Sequence, residues 1–181
     1  VIVVDAGHGG RMSGAVKRGV EEKNLNLAIV QQIKALFDEA GDDSIKIYYT
    51  RLDDTNPSLM ERANMANKSN ADLFISIHNN ASSSGLFTSD SGTMVLYNPL
   101  DKNEKNSMRL AELCLENVTA STGSNKLGLV DGEYIYIVRS SKVPVALIEV
   151  GYMTNYEELE NLKNEEYQRK VAEGVYNAVM Q

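Results

Sequence analysis

Leu73-Phe74-Ile75-Ser76-Ile77-His78 is an almost unbroken apolar run that stops at a histidine, followed by Asn79 and Asn80. A strand with one wet face alternates apolar and polar residues. A run that is apolar throughout is buried on both faces, the habit of a parallel sheet covered by helices on each side. Outward from this run, Val1–Val4 predicts a first strand, Ile45–Thr50 a second, and Thr93–Tyr97 a fourth after the quoted one. Tyr134–Val138 and Val145–Glu149 read as two further strands. Between them lie helical periodicities. In Glu22–Ala40 the residues Leu25, Ile29, Ile33, Leu36 and Ala40 share one stripe, with Gly41 placed as a C-cap. Pro57 and the pair Ser58 and Glu61 mark another helix start with a capping box. Helices are also expected over about Glu104–Val118 and Glu165–Met180. Strands alternating with helices predict one α/β domain spanning 1–181, with a mostly parallel twisted sheet of about six strands and helices on both faces.

The 181 residues are 43% hydrophobic and 24% charged, enough for a packed core and too ordered in composition for a disordered chain. No apolar run approaches the roughly 18 residues of a membrane span. Eighteen Lys plus Arg against 25 Asp plus Glu give a formal charge of −7, which argues against a nucleic-acid partner, since that affinity comes from a basic face. The single cysteine, Cys114, excludes an intrachain disulfide framework and a cysteine metal cluster, and its neighbours Leu110, Ala111, Leu113 and Leu115 mark it as a small buried hydrophobe. No signal peptide precedes Val1, which lies inside the first expected strand, so the chain reads as an excised domain.

Open α/β sheets bind ligands beyond the carboxyl ends of their strands. The chain has two histidines, His8 and His78, and each follows or ends such a strand. A catalytic zinc site commonly takes three protein ligands, and two histidines with one glutamate is a standard set. Carboxylates within reach of the strand ends are Asp5, Glu21, Glu22 and Glu149. Glu22 opens the long helix, where the dipole also favours a negative charge. Glu149 follows Val145-Ala146-Leu147-Ile148, and a carboxylate there is costly to bury unless paired or working. Each has an ordinary alternative: a dipole partner for Glu22, a loop hydrogen bond for His8, a satisfied strand-end imidazole for His78. Neither a nucleotide loop of the G-x-x-x-x-G-K-[ST] type nor a G-x-S-x-G elbow is present.

The ordered motifs Asp5-Ala6-Gly7-His8-Gly9-Gly10, Gly19-x-x-Glu22-Lys23-Asn24, Thr50-Arg51-x-x-Asp54 with Leu59-x-x-Arg62, and Ala71–Asn80 are followed by Pro144–Asn155. Together they resemble the zinc-dependent N-acetylmuramoyl-L-alanine amidases of the Amidase_3 type, bacterial cell-wall hydrolases, over essentially the whole chain. The sequence departs from that pattern at Ala6, Asn79, Val150 and Tyr152, none of them a ligand position. The resemblance implies His8, Glu22 and His78 as ligands of Zn2+ and Glu149 as the catalytic carboxylate. Beside that set, Asp5 is expected as an acceptor that orients a ligand imidazole. It implies hydrolysis of the amide joining the lactyl group of N-acetylmuramic acid to L-alanine in peptidoglycan. The substrate would place the protein outside the cell or in its envelope. A monomer is expected, and an activator protein, if one exists, is not identified by the sequence. Some members carry a helical insertion that plugs the site; the connection from His78 to the helix near Glu104 is short, so an open cleft is expected. Two other readings stay open: a zinc peptidase cutting within the stem peptide, and a non-catalytic peptidoglycan-binding domain.

Overall fold

A computed structural model describes residues 1–101 and 106–181. Its order is β1 (Ile2–Ala6), β2 (Val16–Lys17), β3 (Val20–Glu21), α1 (Glu22–Ala40), β4 (Ile47–Tyr49), α2 (Leu59–Lys68) and β5 (Leu73–Asn80). Then come β6 (Thr93–Tyr97), α3 (Asn106–Thr122), β7 (Lys126–Asp131), α4 (Tyr136–Arg139), β8 (Val145–Tyr152), α5 (Tyr156–Lys163) and α6 (Glu165–Val179). The main sheet has six strands in the order β4-β1-β5-β8-β6-β7. The pairs β1–β4, β1–β5, β5–β8 and β6–β7 are parallel, whereas β6 meets β8 antiparallel. The result is the mostly parallel α/β sheet that the sequence predicts. The central strands β1, β5 and β8 are the near-continuous apolar runs.

The two faces of the sheet separate by side-chain alternation. Ile2, Val4, Ala6, Ile75, Ile77, Ala146 and Ile148 join one core with residues of α1, α3 and α6. Val3, Phe74, Val145 and Leu147 join a second core with Ala66 of α2 and Ile137 and Val138 of α4. Asp5, Ser76, His78 and Glu149 share the parity of the second set, so the strand ends present polar groups toward the α2 and α4 side. The expected helix punctuation holds. Gly41 sits at φ 60° and donates its N–H to the Phe37 carbonyl. Ser58 and Glu61 form a reciprocal capping box. Cys114 is buried with α3 against the first core.

Tyr134–Val138 is corrected by the structure. It is not a strand: Tyr136–Arg139 is a short helix. Its aromatic and β-branched composition favours a strand. Burying the adjacent Ile137 and Val138 together under the α2 layer suits a helical turn, because a strand would send them to opposite faces. The sixth strand is instead Lys126–Asp131, a half-exposed edge with Gly128 inside it, which gives little periodic signal. Of the helix expected from about Glu104, Glu104 itself lies outside the described residues, and α3 runs on to Thr122. Among the described residues between β5 and α3, β6 is the only regular element, so no described helix blocks the strand ends.

Candidate active site

The site begins with register. On the parallel strands β5 and β8, His78 lies opposite Glu149, and on β1 and β5, Asp5 lies opposite Ser76. His8 comes two residues after β1, at φ 60°, a left-handed conformation that costs a non-glycine residue about 1–2 kcal/mol. Two buried arginines hold it there. Arg51 donates to the carbonyls of Ala6 (2.8 Å), Gly7 (2.9 Å) and Lys23 (2.8 Å). Arg62 donates to the carbonyls of Ala6 (2.7 Å) and His8 (2.7 Å). Asp5 neutralises Arg62 at 2.6 Å and accepts from Thr50 (2.5 Å) and Ser76 (2.6 Å). Burial by itself would raise the Asp5 pKa, but Arg62 and the two hydroxyls outweigh it and hold the carboxyl below its ordinary value.

Asp5, expected to accept from a ligand imidazole, instead accepts from Arg62, Thr50 and Ser76. Its reach to the histidine loop is through Arg62. The sequence motifs Thr50-Arg51 and Leu59-x-x-Arg62 carried this information, but two arginines without visible partners gave no role until the fold supplied the carbonyls.

Glu22 is the first residue of α1 and is buried. Its Oε2 lies 3.1 Å from His8 Nε2, and its Oε1 lies 3.1 Å from His78 Nδ1. The Ala15 N–H donates to Oε2 at 3.0 Å, and the Asn79 N–H and Asn26 Nδ2 donate to Oε1 at 3.2 and 3.3 Å. Burial opposes its charge, but the two imidazoles overcome that and hold the carboxyl far below the usual glutamate range. Burial likewise opposes a charged His78, yet Glu22, aided by Glu149, raises its pKa. Each of His8, Glu22 and His78 offers a ligand atom, and these atoms lie within 4.8 Å of one another. Glu21, the other carboxylate near the helix start, is turned away and pairs with Lys23 at 3.4 Å.

Glu149 stands apart from this cluster. Its Oε2 is buried without a hydrogen-bond partner. Burial pushes its pKa up to about 7; His78 opposes the rise and the Glu22 charge adds to it. Such a carboxyl can gain or lose a proton near neutrality.

Two glycines make room for the cluster. A Cβ on Gly7 would come within 2.2 Å of the His78 ring, and one on Gly14, at φ 66°, within 2.4 Å of Glu22 Oε2. Asn26 and Asn79 were not singled out as site residues by sequence reasoning. Asn79 Nδ2 donates to Asn26 Oδ1 at 2.8 Å, which orients the Asn26 amide toward Glu22.

Two histidines and a carboxylate converging at the strand ends of an α/β sheet, beside a second, unpartnered carboxylate, form a cluster that could hold a metal ion, the donor set found in metal-dependent hydrolases. The chain belongs to the Amidase_3 family, N-acetylmuramoyl-L-alanine amidase, which matches residues 2–181. It is 35% identical to the protein YqiI of Bacillus subtilis over 98% of this chain and 82% of that protein. It is 33% identical to the N-acetylmuramoyl-L-alanine amidase LytC of Bacillus subtilis over 99% of this chain but 34% of LytC. The crystal structure of an N-acetylmuramoyl-L-alanine amidase from Clostridium difficile 630 superimposes with a TM-score of 0.90 at 31% identity, covering 99% of this chain and 94% of that one.

Proposed function

We propose that this chain hydrolyses the amide between the lactyl group of N-acetylmuramic acid and L-alanine in peptidoglycan, using zinc held by His8, Glu22 and His78 and proton transfer by Glu149. The observation that carries this reading is the convergence of three ligand atoms within 4.8 Å beside the unpartnered Glu149 Oε2. The donor set fits zinc: two imidazole nitrogens and one carboxylate leave a coordination position for the reacting groups. Zinc supplies a lowered pKa, about 7, for a coordinated water and polarisation of the amide carbonyl.

The remaining work falls to the chain. Glu22, fixed by the Ala15 and Asn79 N–H groups, stays ionised and holds both imidazoles toward one point. Arg51 and Arg62 fix the carbonyls around His8, so the ligand loop does not relax when its neighbours are desolvated. Glu149, which lines the cleft, takes the proton of the attacking water and returns it to the amine nitrogen as the carbon–nitrogen bond breaks. The products are a lactyl carboxylate on the glycan and a peptide with a free L-alanine amine. Because its substrate is the wall, the protein is proposed to act in the envelope or outside the cell. No helix among the described residues is long and apolar enough to cross a membrane.

Mass spectrometry of purified peptidoglycan digested with the protein, with and without a zinc chelator, tests this. Peptides beginning at L-alanine, matched by glycan with free lactyl carboxylates and lost on chelation, are expected. Cleavage inside the stem would replace the amidase reading with a peptidase, and binding without products would replace it with a wall-binding domain.

A further inference from the structure

The cleft at the strand ends has two arms that meet at His8 and His78. The smaller, about 330 Å³, runs toward Met12, Pro57 and Ser58 and does not include Glu149. The larger, about 590 Å³, is lined by Glu149, Asn80, Tyr134, Tyr136 and Arg139. If Glu149 protonates the departing amine, as proposed above, the peptide bearing that amine lies in the arm that Glu149 lines. The muramoyl side then lies in the smaller arm.

The charges of the larger arm are uneven. Glu22 and Glu149 stand at its inner end, and Arg139 is the one lysine or arginine among the described residues that line it. A carboxylate on the leaving peptide that lies along this arm, away from the ligand cluster, has Arg139 as the one lysine or arginine side chain to meet. Arg139 makes one hydrogen bond, from Nη1 to the Tyr134 carbonyl at 3.1 Å, and its guanidinium lies 5.3 Å from the Tyr136 ring centre. It has no ion pair with a described carboxylate, so most of its five N–H donors remain free. The side chain also stands on a fixed base. Ile137 and Val138 of the same short helix are buried, and Asn67 Nδ2 donates to the carbonyl of the next residue, Ser140, at 3.0 Å. An ordinary surface arginine is free to wander. This one is exposed, yet it lies over the Tyr136 ring, is tied by one bond to backbone and stands at the wall of the cleft.

We propose that Arg139 is a carboxylate-binding, specificity-determining residue that selects stem peptides carrying a free carboxylate on the residue after L-alanine. The first residue's own carboxyl is consumed in the peptide bond, so the second residue is the earliest that can offer one. A planar guanidinium matches a carboxylate through paired N–H donors and matches a carboxamide poorly. This inference rests on the amidase reading of the site.

The test uses two N-acetylmuramoyl tripeptides that differ only in a free carboxylate or a carboxamide on the second stem residue. With the wild-type protein, kcat/KM is expected to favour the acid by about two- to fivefold, as for an ion pair at an exposed site. The preference should shrink as salt is raised. Arg139→Gln should bring the ratio close to one, and Arg139→Lys, which keeps the charge without the fork, should fall between. Both stems are measured on the same sample, so loss of folded enzyme cancels in the ratio. An unchanged acid-to-amide ratio in Arg139→Gln overturns the assignment while leaving the amidase reading intact. Failure of the wild type to cleave either stem overturns both.

Discussion

His78 and Glu149 face each other across the parallel strands β5 and β8, yet their side chains end in opposite electrostatic circumstances. His78 is bonded to Glu22 at 3.1 Å, while Glu149 Oε2, buried, has no partner. In the proposed mechanism this one register pair divides the labour, a ligand beside a proton carrier. The division is set by where α1 begins: its first residue reaches His78 and stops short of Glu149.

Replacing Glu149 by Gln keeps the shape and removes the proposed proton carrier. Turnover is expected to fall by about 10²–10⁴-fold. Zinc content, measured by elemental mass spectrometry on the same samples, should match the wild type. Loss of the metal along with activity would reassign Glu149 as a ligand.

The same substitution should stabilise the metal-free protein. Burial raises the Glu149 pKa from 4.5 to about 7, so between those values the folded protein holds a proton that the unfolded chain has released. Stability contributed by this group is highest below pH 4.5 and falls as pH rises through that window. Metal-free Glu149→Gln is therefore expected to exceed the metal-free parent by up to about 3 kcal/mol above neutrality. The gap should close in acid. Urea unfolding of both proteins across the pH range reads it directly, and a gap that widened in acid would contradict the burial argument.

Gly14→Ala tests how tightly the ligand cluster is packed. Its Cβ would press on Glu22 Oε2 at 2.4 Å and His8 Cδ2 at 2.6 Å. Zinc affinity, measured by competition with a chelating dye, should drop by about 10–100-fold, the scale of disturbed support around a metal ligand. Gly19→Ala is the control. Gly19 also has a positive φ, 78°, but a Cβ there meets nothing within 4 Å, so it should cost backbone strain while metal affinity stays.

Asp5→Asn would leave Arg62 buried with its charge uncompensated. The expected loss is about 3–5 kcal/mol near neutral pH. The Asp5 pKa is depressed in the folded state, so its contribution is present above the ordinary value of 3.8 and is lost as pH falls through the depressed one. The difference between variant and wild type in urea unfolding should accordingly narrow in strong acid. A constant difference at every pH would mean that the carboxylate charge is not what holds Arg62.

What the sequence determined by itself was whatever is written in local pattern and in rarity. The apolar runs at Val1–Val4, Leu73–Ile77 and Val145–Ile148, short and rich in β-branched residues, read as strands buried on both faces, and they become the parallel centre of the sheet. His78 at the end of one of those runs, His8 a few residues past another and Glu22 at a helix start point to the cluster before any contact is known. Gly41 and the pair Ser58 and Glu61 announce helix ends because backbone groups there need partners that these residues supply.

Long-range packing decided the rest. Tyr134–Val138 has strand composition, but the α2 layer needs Ile137 and Val138 buried on one side, and a helical turn provides that. The edge strand Lys126–Asp131 exists because β6 offers it a ladder, not because its own residues favour it. Arg51 and Arg62 acquire meaning only when the fold brings the Ala6–His8 carbonyls and Asp5 to them, across 44 to 57 residues of chain. The free oxygen of Glu149 and the two-armed cleft likewise belong to tertiary structure. Whether a buried polar atom has a partner depends on groups distant in sequence, and no local pattern records that.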